Sequence, residues 1–320
     1  MAKPFLLTAA RLSPLLTPQL EAAFNVHDRL HETGPAAFEA VAPRIRAIAA
    51  SGDSRVPAEL IVRLPALEII SVMGVGYDGV DVAAAKARGV MVTHTPDVLN
   101  DDVADLAIGL MLCASRQLPA ADRWVRGGDW AARGPMPLAR KMSGARLGIV
   151  GMGRIGQAIA QRATAFGMHI AYTARSVKPA LPWVFEATAV ALAARSDFLV
   201  LITPGGAGTR HLVNAELLQA LGKGRGEGIL VNVARGSVVD EPALIDALQR
   251  GVIAGAALDV FAHEPKVPQA LREMPHVVLA PHIGSSTTAT RQAMADLAFA
   301  NLGEHFAGRR PPTPVPECRA

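Results

Sequence analysis

Cysteine, aromatic rings and charge are all scarce in this chain, and each shortage narrows what it can be. Only Cys113 and Cys318 occur among 320 residues, one in an apolar helical run and the other in a Pro-rich tail. That count excludes a disulfide framework and leads us to expect a reducing, cytoplasmic compartment. Charged residues make up 19% against 50% hydrophobic, which fits a compact core and argues against disorder. The formal charge of +4 is a mild basic excess. No basic run is interleaved with aromatics, so no nucleic-acid partner is expected. The longest apolar run, residues 106–114, is far too short to span a bilayer, so no membrane partner is expected either. Residues 1–7 hold one positive charge and a short apolar stretch, which read as a first strand rather than a signal peptide. Metal is not expected. Asp101, Asp102 and Asp105 have no His at ligand spacing and read as a solvated first helical turn that complements the helix dipole.

What is present is an alternation of strand and helix patterns. At this length two domains, each with a substantial core, are accommodated. Apolar runs at 44–50, 67–72 and 90–93 read as buried strands, with helical spacing over 57–64 and 81–88 between them. A second set follows at 146–150, 169–173, 198–202, 228–232, 255–258 and 277–279. Such alternation implies parallel sheets joined by right-handed crossovers, an α/β protein with two doubly wound domains. The longest early helical pattern is 100–115, and a last helix over 287–306 returns the chain to the first domain. The tail at 309–312 has no period and is expected to be extended or mobile. The Gly222-Lys223-Gly224-Arg225-Gly226 stretch lacks the Gly-Lys-Ser/Thr ending of a phosphate loop and reads as a flexible turn.

Between a strand at 146–150 and a helix at 157–166 lies Gly151-Met152-Gly153-Arg154-Ile155-Gly156. In a dinucleotide site the first glycine permits the tight turn and the second lets backbone approach the pyrophosphate. The third lets helix and strand pack closely. The free N–H groups of the helix N-terminus then face the phosphate charge. The next strand ends Ala174-Arg175-Ser176 with no carboxylate to bond a ribose 2′-OH. Arg175 and Ser176, with Lys178 nearby, suit a 2′-phosphate instead, so NADP(H) is expected in preference to NAD(H).

Three polar residues follow this turn in separate segments. Arg235 stands in Val231-Asn232-Val233-Ala234-Arg235-Gly236, Glu264 in Ala262-His263-Glu264-Pro265, and His282 in Ala280-Pro281-His282-Ile283-Gly284. A guanidinium holds a carboxylate through two parallel hydrogen bonds. An imidazole moves a proton near neutral pH, and a carboxylate partner orients it and favours its charged form. His94, His263 and His276 lack such company and read as structural.

With Gly74-Val75-Gly76-Tyr77-Asp78-Gly79-Val80-Asp81 and Thr95-Pro96-Asp97-Val98-Leu99, these segments resemble the D-2-hydroxyacid dehydrogenase family over essentially the whole chain. Within it, Arg175-Ser176 and residues 95–110 look most like the NADPH-dependent glyoxylate, hydroxypyruvate and hydroxyphenylpyruvate reductases. The resemblance implies two Rossmann-like domains with an interdomain cleft. Residues 1–99 and 286–320 would form the substrate domain, with a dinucleotide-binding domain at 100–285 and a homodimer joined through it. It implies hydride transfer from NADPH to C2 of a small 2-keto acid, giving a D-2-hydroxy acid. Arg235 would bind substrate, His282 would donate the proton and Glu264 would be its partner. Gly74, Val75 and Gly76 would meet the substrate carboxylate through backbone. Met152, Arg154 and Ile155 would contact the pyrophosphate. Thr203, Pro204, Val233, Ala234, Asp259 and Gly284 would complete the cofactor set. Two rivals are an NAD-dependent phosphoglycerate dehydrogenase-like enzyme, which wants an acid near Ala174, and a dinucleotide-sensing corepressor without enzymatic activity.

Overall fold

A computed structural model describes residues 2–224 and 226–319. Arg225, inside the glycine-rich turn read from the sequence, lies outside the described residues. The chain divides into two compact units, Met1–Leu99 with Thr287–Ala320, and Asn100–Ser286.

The first unit holds a five-stranded sheet of β1 (Phe5–Thr8), β2 (Asn25–Asp28), β3 (Ile45–Ser51), β4 (Ile69–Met73) and β5 (Met91–Thr93). The order is β2-β1-β3-β4-β5 and every pairing is parallel. Every residue of β4 is buried, as expected of a parallel strand covered on both faces. The edge strand β2, Asn-Val-His-Asp, has no apolar run, and sequence pattern does not reveal it. The long helix Thr288–Phe306 starts at a Thr287 cap and packs on β4, where the Ser71 hydroxyl donates to the Ala298 carbonyl at 2.9 Å.

Beyond that helix the aperiodic segment does not stay loose. Pro311 is buried, Thr93 and Pro314 form an antiparallel bridge, and the Val315 N–H donates to the Val92 carbonyl at 2.9 Å. Val315 is fully buried in the core of this unit.

The second unit holds seven parallel strands: β6 (Arg146–Val150), β7 (His169–Thr173), β8 (Val184–Phe185), β9 (Phe198–Leu201), β10 (Ile229–Asn232), β11 (Gly255–Leu258) and β12 (Val277–Leu279). The order is β12-β11-β10-β9-β6-β7-β8. The chain runs outward from β6 through β7 and β8, then returns to β9 on the other side. The strand order therefore reverses between β6 and β9, and ligands of open α/β sheets bind at the carboxyl ends flanking such a reversal.

The helix after the glycine turn spans Arg154–Thr164, three residues earlier than its apolar pattern suggests, because Gly153 itself is the N-cap. Its Arg162 reaches Asp101 at 3.0 Å and Asp105 at 2.5 Å on the helix Asn100–Arg116. Those two acids are thus ion-paired rather than merely solvated. Helices Leu118–Arg126 and Asp129–Arg133 bury none of their residues. Leu118, Val125, Trp130 and Leu138 are exposed along this arm. Among the described residues, no helix is long and apolar enough to cross a membrane.

Candidate active site

The glycine turn sits at the end of β6, at the strand-order reversal. Gly151 has φ +106°, and a Cβ there would lie 2.5 Å from the Ile202 carbonyl oxygen beyond β9. A Cβ on Gly156 would lie 2.1 Å from the Gly151 carbonyl oxygen. At Gly153, by contrast, a Cβ would meet nothing within 4 Å. Two glycines therefore serve packing, and the third keeps backbone bare towards open space. That is the cradle a pyrophosphate needs, so these residues fit a dinucleotide.

Met152 is buried and its carbonyl accepts from the Gln157 side chain at 3.4 Å. Thr203 and Pro204 follow β9, and the Thr209 hydroxyl closes their loop by donating to the Pro204 carbonyl at 2.7 Å. Beyond β7, Arg175 and Ser176 are exposed and Ala174 is half-buried. The buried Tyr172 phenol accepts the Lys178 N–H at 2.8 Å and so pins the far end of this loop.

Arg235, Glu264 and His282 come together at the carboxyl ends of β10, β11 and β12. Asn232, 1% exposed, organises the turn after β10: its amide donates to the Arg235 carbonyl at 3.0 Å and its oxygen accepts the Ala234 N–H at 3.0 Å. Val233 and Ala234 are buried in this turn. Gly236 then passes so close to the next loop that a Cβ would lie 1.9 Å from the Phe261 carbonyl. Only a glycine lets the arginine turn and the Glu264 loop share this space.

Glu264 uses both carboxylate oxygens. Oε1 accepts the Phe261 N–H at 2.9 Å, and Oε2 lies 2.7 Å from His282 Nδ1. A carboxylate only accepts here, so the Nδ1 proton is on histidine and Nε2 is the end left for exchange with another molecule. The hydrogen bond to Glu264 pushes the His282 pKa up, against burial and the Arg235 charge, which pull it down. The imidazole is partly exposed, 43% of its side-chain surface being open. An apolar cavity of about 220 Å³, walled by Phe261, Val267, Leu279 and Pro281, adjoins the pair.

His282 has φ +53°, a left-handed conformation that L residues rarely adopt. Asp259, only 2% exposed, holds it: Oδ1 accepts the Ile283 N–H at 2.7 Å and Oδ2 the Gly284 N–H at 2.8 Å. Burial raises the Asp259 pKa, opposed by those two N–H groups. The family resemblance implies for Asp259 only a cofactor contact; its clamp on the histidine turn is not legible in the sequence. Asn232 also goes unread, although a polar residue closing a buried strand is the available signal. Gly74, Val75 and Gly76 belong to the other unit, in the loop after β4. Among the described residues no group of acidic, His or Cys side chains is arranged to hold a metal.

Residues 108–284 match the family model for the D-isomer specific 2-hydroxyacid dehydrogenase, NAD binding domain. The chain belongs to the D-isomer-specific 2-hydroxyacid dehydrogenase family. It is 45% identical over 305 residues to a hydroxyphenylpyruvate reductase of Plectranthus scutellarioides, covering 95% of this chain and 96% of that one. It is 48% identical over 271 residues to a glyoxylate/hydroxypyruvate reductase of Arabidopsis thaliana, covering 85% of each. An NADPH-dependent glyoxylate/hydroxypyruvate reductase from Sinorhizobium meliloti, solved with NADP and malonate, superimposes with a TM-score of 0.93. That structure shares 44% identity, over 99% of this chain and 98% of its own. Both parallel-sheet units are those of the family fold, and the second is its NAD(P)-binding domain.

The division of labour among the glycines is testable. Gly153→Val should cost no more than about 1 kcal/mol of stability, as a poorer helix cap, while weakening dinucleotide binding at least about tenfold, since the space it fills is the ligand's. Gly156→Val should instead destabilise by about 2 kcal/mol or more through backbone overlap. Fluorescence titration and thermal melts separate the two; unaltered affinity in the Gly153 variant would sink the cradle.

Proposed function

We propose that this chain reduces a small 2-keto acid of the glyoxylate/hydroxypyruvate class to a D-2-hydroxy acid with NADPH. The observation that carries the reading is the 2.7 Å Glu264–His282 hydrogen bond, set beside Arg235 in the family's dinucleotide domain. The named activities of the relatives support the substrate class.

Gly151, Met152, Gly153, Arg154, Ile155 and Gly156 would hold the pyrophosphate, and Ala174, Arg175 and Ser176 the ribose end. Thr203, Pro204, Val233, Ala234, Asp259 and Gly284 would line the rest. When bound, the cofactor supplies a hydride for substrate C2. Arg235 binds the carboxylate and the carbonyl oxygen, lowering the cost of negative charge building there. His282, whose imidazolium form Glu264 favours, donates its Nε2 proton to that oxygen. Backbone N–H groups of Val75 and Gly76 bind the carboxylate. Residues 1–99 and 286–320 thus act as the substrate domain, and 100–285 as the cofactor domain.

Preference for NADPH rests on Arg175 and Ser176, with no acid at the end of β7. The exposed apolar side chains of the 118–138 arm support a homodimer joined through the cofactor domain. Two free cysteines fit a cytoplasmic setting.

Four outcomes check this. Steady-state NADPH oxidation with glyoxylate, hydroxypyruvate, phenylpyruvate and 2-ketogluconate should show turnover; none with any keto acid would favour the sensing corepressor. Because the hydrogen bond to Glu264 raises the His282 pKa, reduction persists to higher pH than an ordinary imidazole would allow and declines as pH climbs through the raised pKa, while oxidation rises over the same window. Glu264→Gln should move the alkaline limb of reduction to lower pH, since the largest cause of the raised His282 pKa is removed; an unmoved limb would remove Glu264 from this role. Arg175→Asp should shift preference towards NADH by about tenfold or more, and retained NADPH preference would refute the 2′-phosphate contact. Light scattering should report two chains per particle, and Trp130→Asp should yield monomers; a monomeric parent would discard the dimer.

A further inference from the structure

The loop Gly74–Tyr77 is held from behind by an arrangement that the reaction itself does not explain. The Thr95 N–H donates to the Gly74 carbonyl at 2.8 Å. His94, 7% exposed, places Nδ1 3.0 Å from the Val75 carbonyl oxygen. A carbonyl only accepts, so Nδ1 carries the proton and donates it.

A trans peptide is planar, and its C=O and N–H point in opposite directions. The Gly74 carbonyl shares a peptide with the Val75 N–H, and the Val75 carbonyl shares one with the Gly76 N–H. Holding the first carbonyl on Thr95 aims the Val75 N–H the other way. Holding the second on His94 does the same for the Gly76 N–H.

His94 is itself held. Its backbone N–H donates to the Thr313 carbonyl at 3.1 Å, and its carbonyl accepts the Thr313 hydroxyl at 2.6 Å. Fully buried Asn301 ties Thr313 in turn, its Oδ1 accepting the Thr313 N–H at 3.0 Å. The Tyr77 ring meets the imidazole edge to face, with centroids 5.3 Å apart, and its hydroxyl donates to Glu317 at 3.1 Å. Burial and the Glu317 carboxylate push the Tyr77 pKa up to about 12, so that donor keeps its proton under working conditions.

We propose that His94 is a positioning residue for substrate: through the Val75 carbonyl it aims the Gly76 N–H at the substrate carboxylate, and the strap Thr313–Glu317 keeps it there. This rests on the reading above that Val75 and Gly76 bind that carboxylate. The ligand class it addresses is any 2-keto carboxylate, independent of side chain.

The test compares His94→Leu with His94→Asn, whose amide N–H lies near the position of Nδ1. With glyoxylate at saturating NADPH, His94→Leu should raise KM about tenfold with kcat within about twofold, the mark of lost uniform binding. NADPH affinity, read by fluorescence, should not move. His94→Asn should recover KM to within about threefold of the parent. An unchanged KM, a loss confined to kcat, or an Asn variant no better than Leu overturns the proposal, the last leaving only a packing role. Should His94→Leu fail to fold, Tyr77→Phe decides: KM raised about two- to threefold supports the strap, and parental KM rejects it. If the parent reduces no 2-keto acid, the functional reading has failed separately. Calorimetric titration of oxalate into the NADPH complex then decides: weaker binding by His94→Leu, recovered in His94→Asn, supports the inference, and equal binding, an Asn variant no better than Leu, or no binding to the parent overturns it.

Discussion

A buried carboxylate with both oxygens committed to backbone is the interaction on which the rest of this site depends. Asp259 takes the Ile283 and Gly284 N–H groups and thereby sustains a left-handed residue at His282. Without it the turn after β12 would relax towards ordinary backbone and carry the imidazole away from Glu264. Burying an acid is costly, and the two N–H donors offset that cost, as the opposing influences on its pKa show. The geometry of the Glu264–His282 pair is therefore downstream of an aspartate whose oxygens are spent on backbone.

Most strands were legible because parallel strands covered on both faces read as continuous apolar runs. β4, β9, β10 and β11 are buried throughout and stand out accordingly. β2 was not, since Asn25, His27 and Asp28 sit at a sheet edge where polar residues are tolerated. The two-residue β8 is too short to carry any period. The tail beyond Phe306 shows a third limit. Its order comes from main-chain pairing with β5 and from Asn301, neither of which leaves a periodic trace.

The site was legible where chemistry and spacing coincide locally. The glycine turn declares itself within six residues, and Arg235, Glu264 and His282 stand in short segments with turn residues beside them. What was hidden is the support between distant segments. Asp259 acts on backbone 24 and 25 residues away, and His94 on a carbonyl 19 residues earlier. Backbone N–H and C=O groups are identical at every position, so no side-chain pattern announces which of them will be the partner.

The close approaches of Gly151 to Ile202 and of Gly236 to Phe261 join the ends of neighbouring strands by contact of main chain with main chain. Such joints have no side-chain rotamers to freeze and little room to hinge. The rim of the dinucleotide domain is consequently ordered when the chain folds, before any ligand arrives. Association then forfeits little loop entropy, so more of the contact free energy between cofactor and rim survives as affinity.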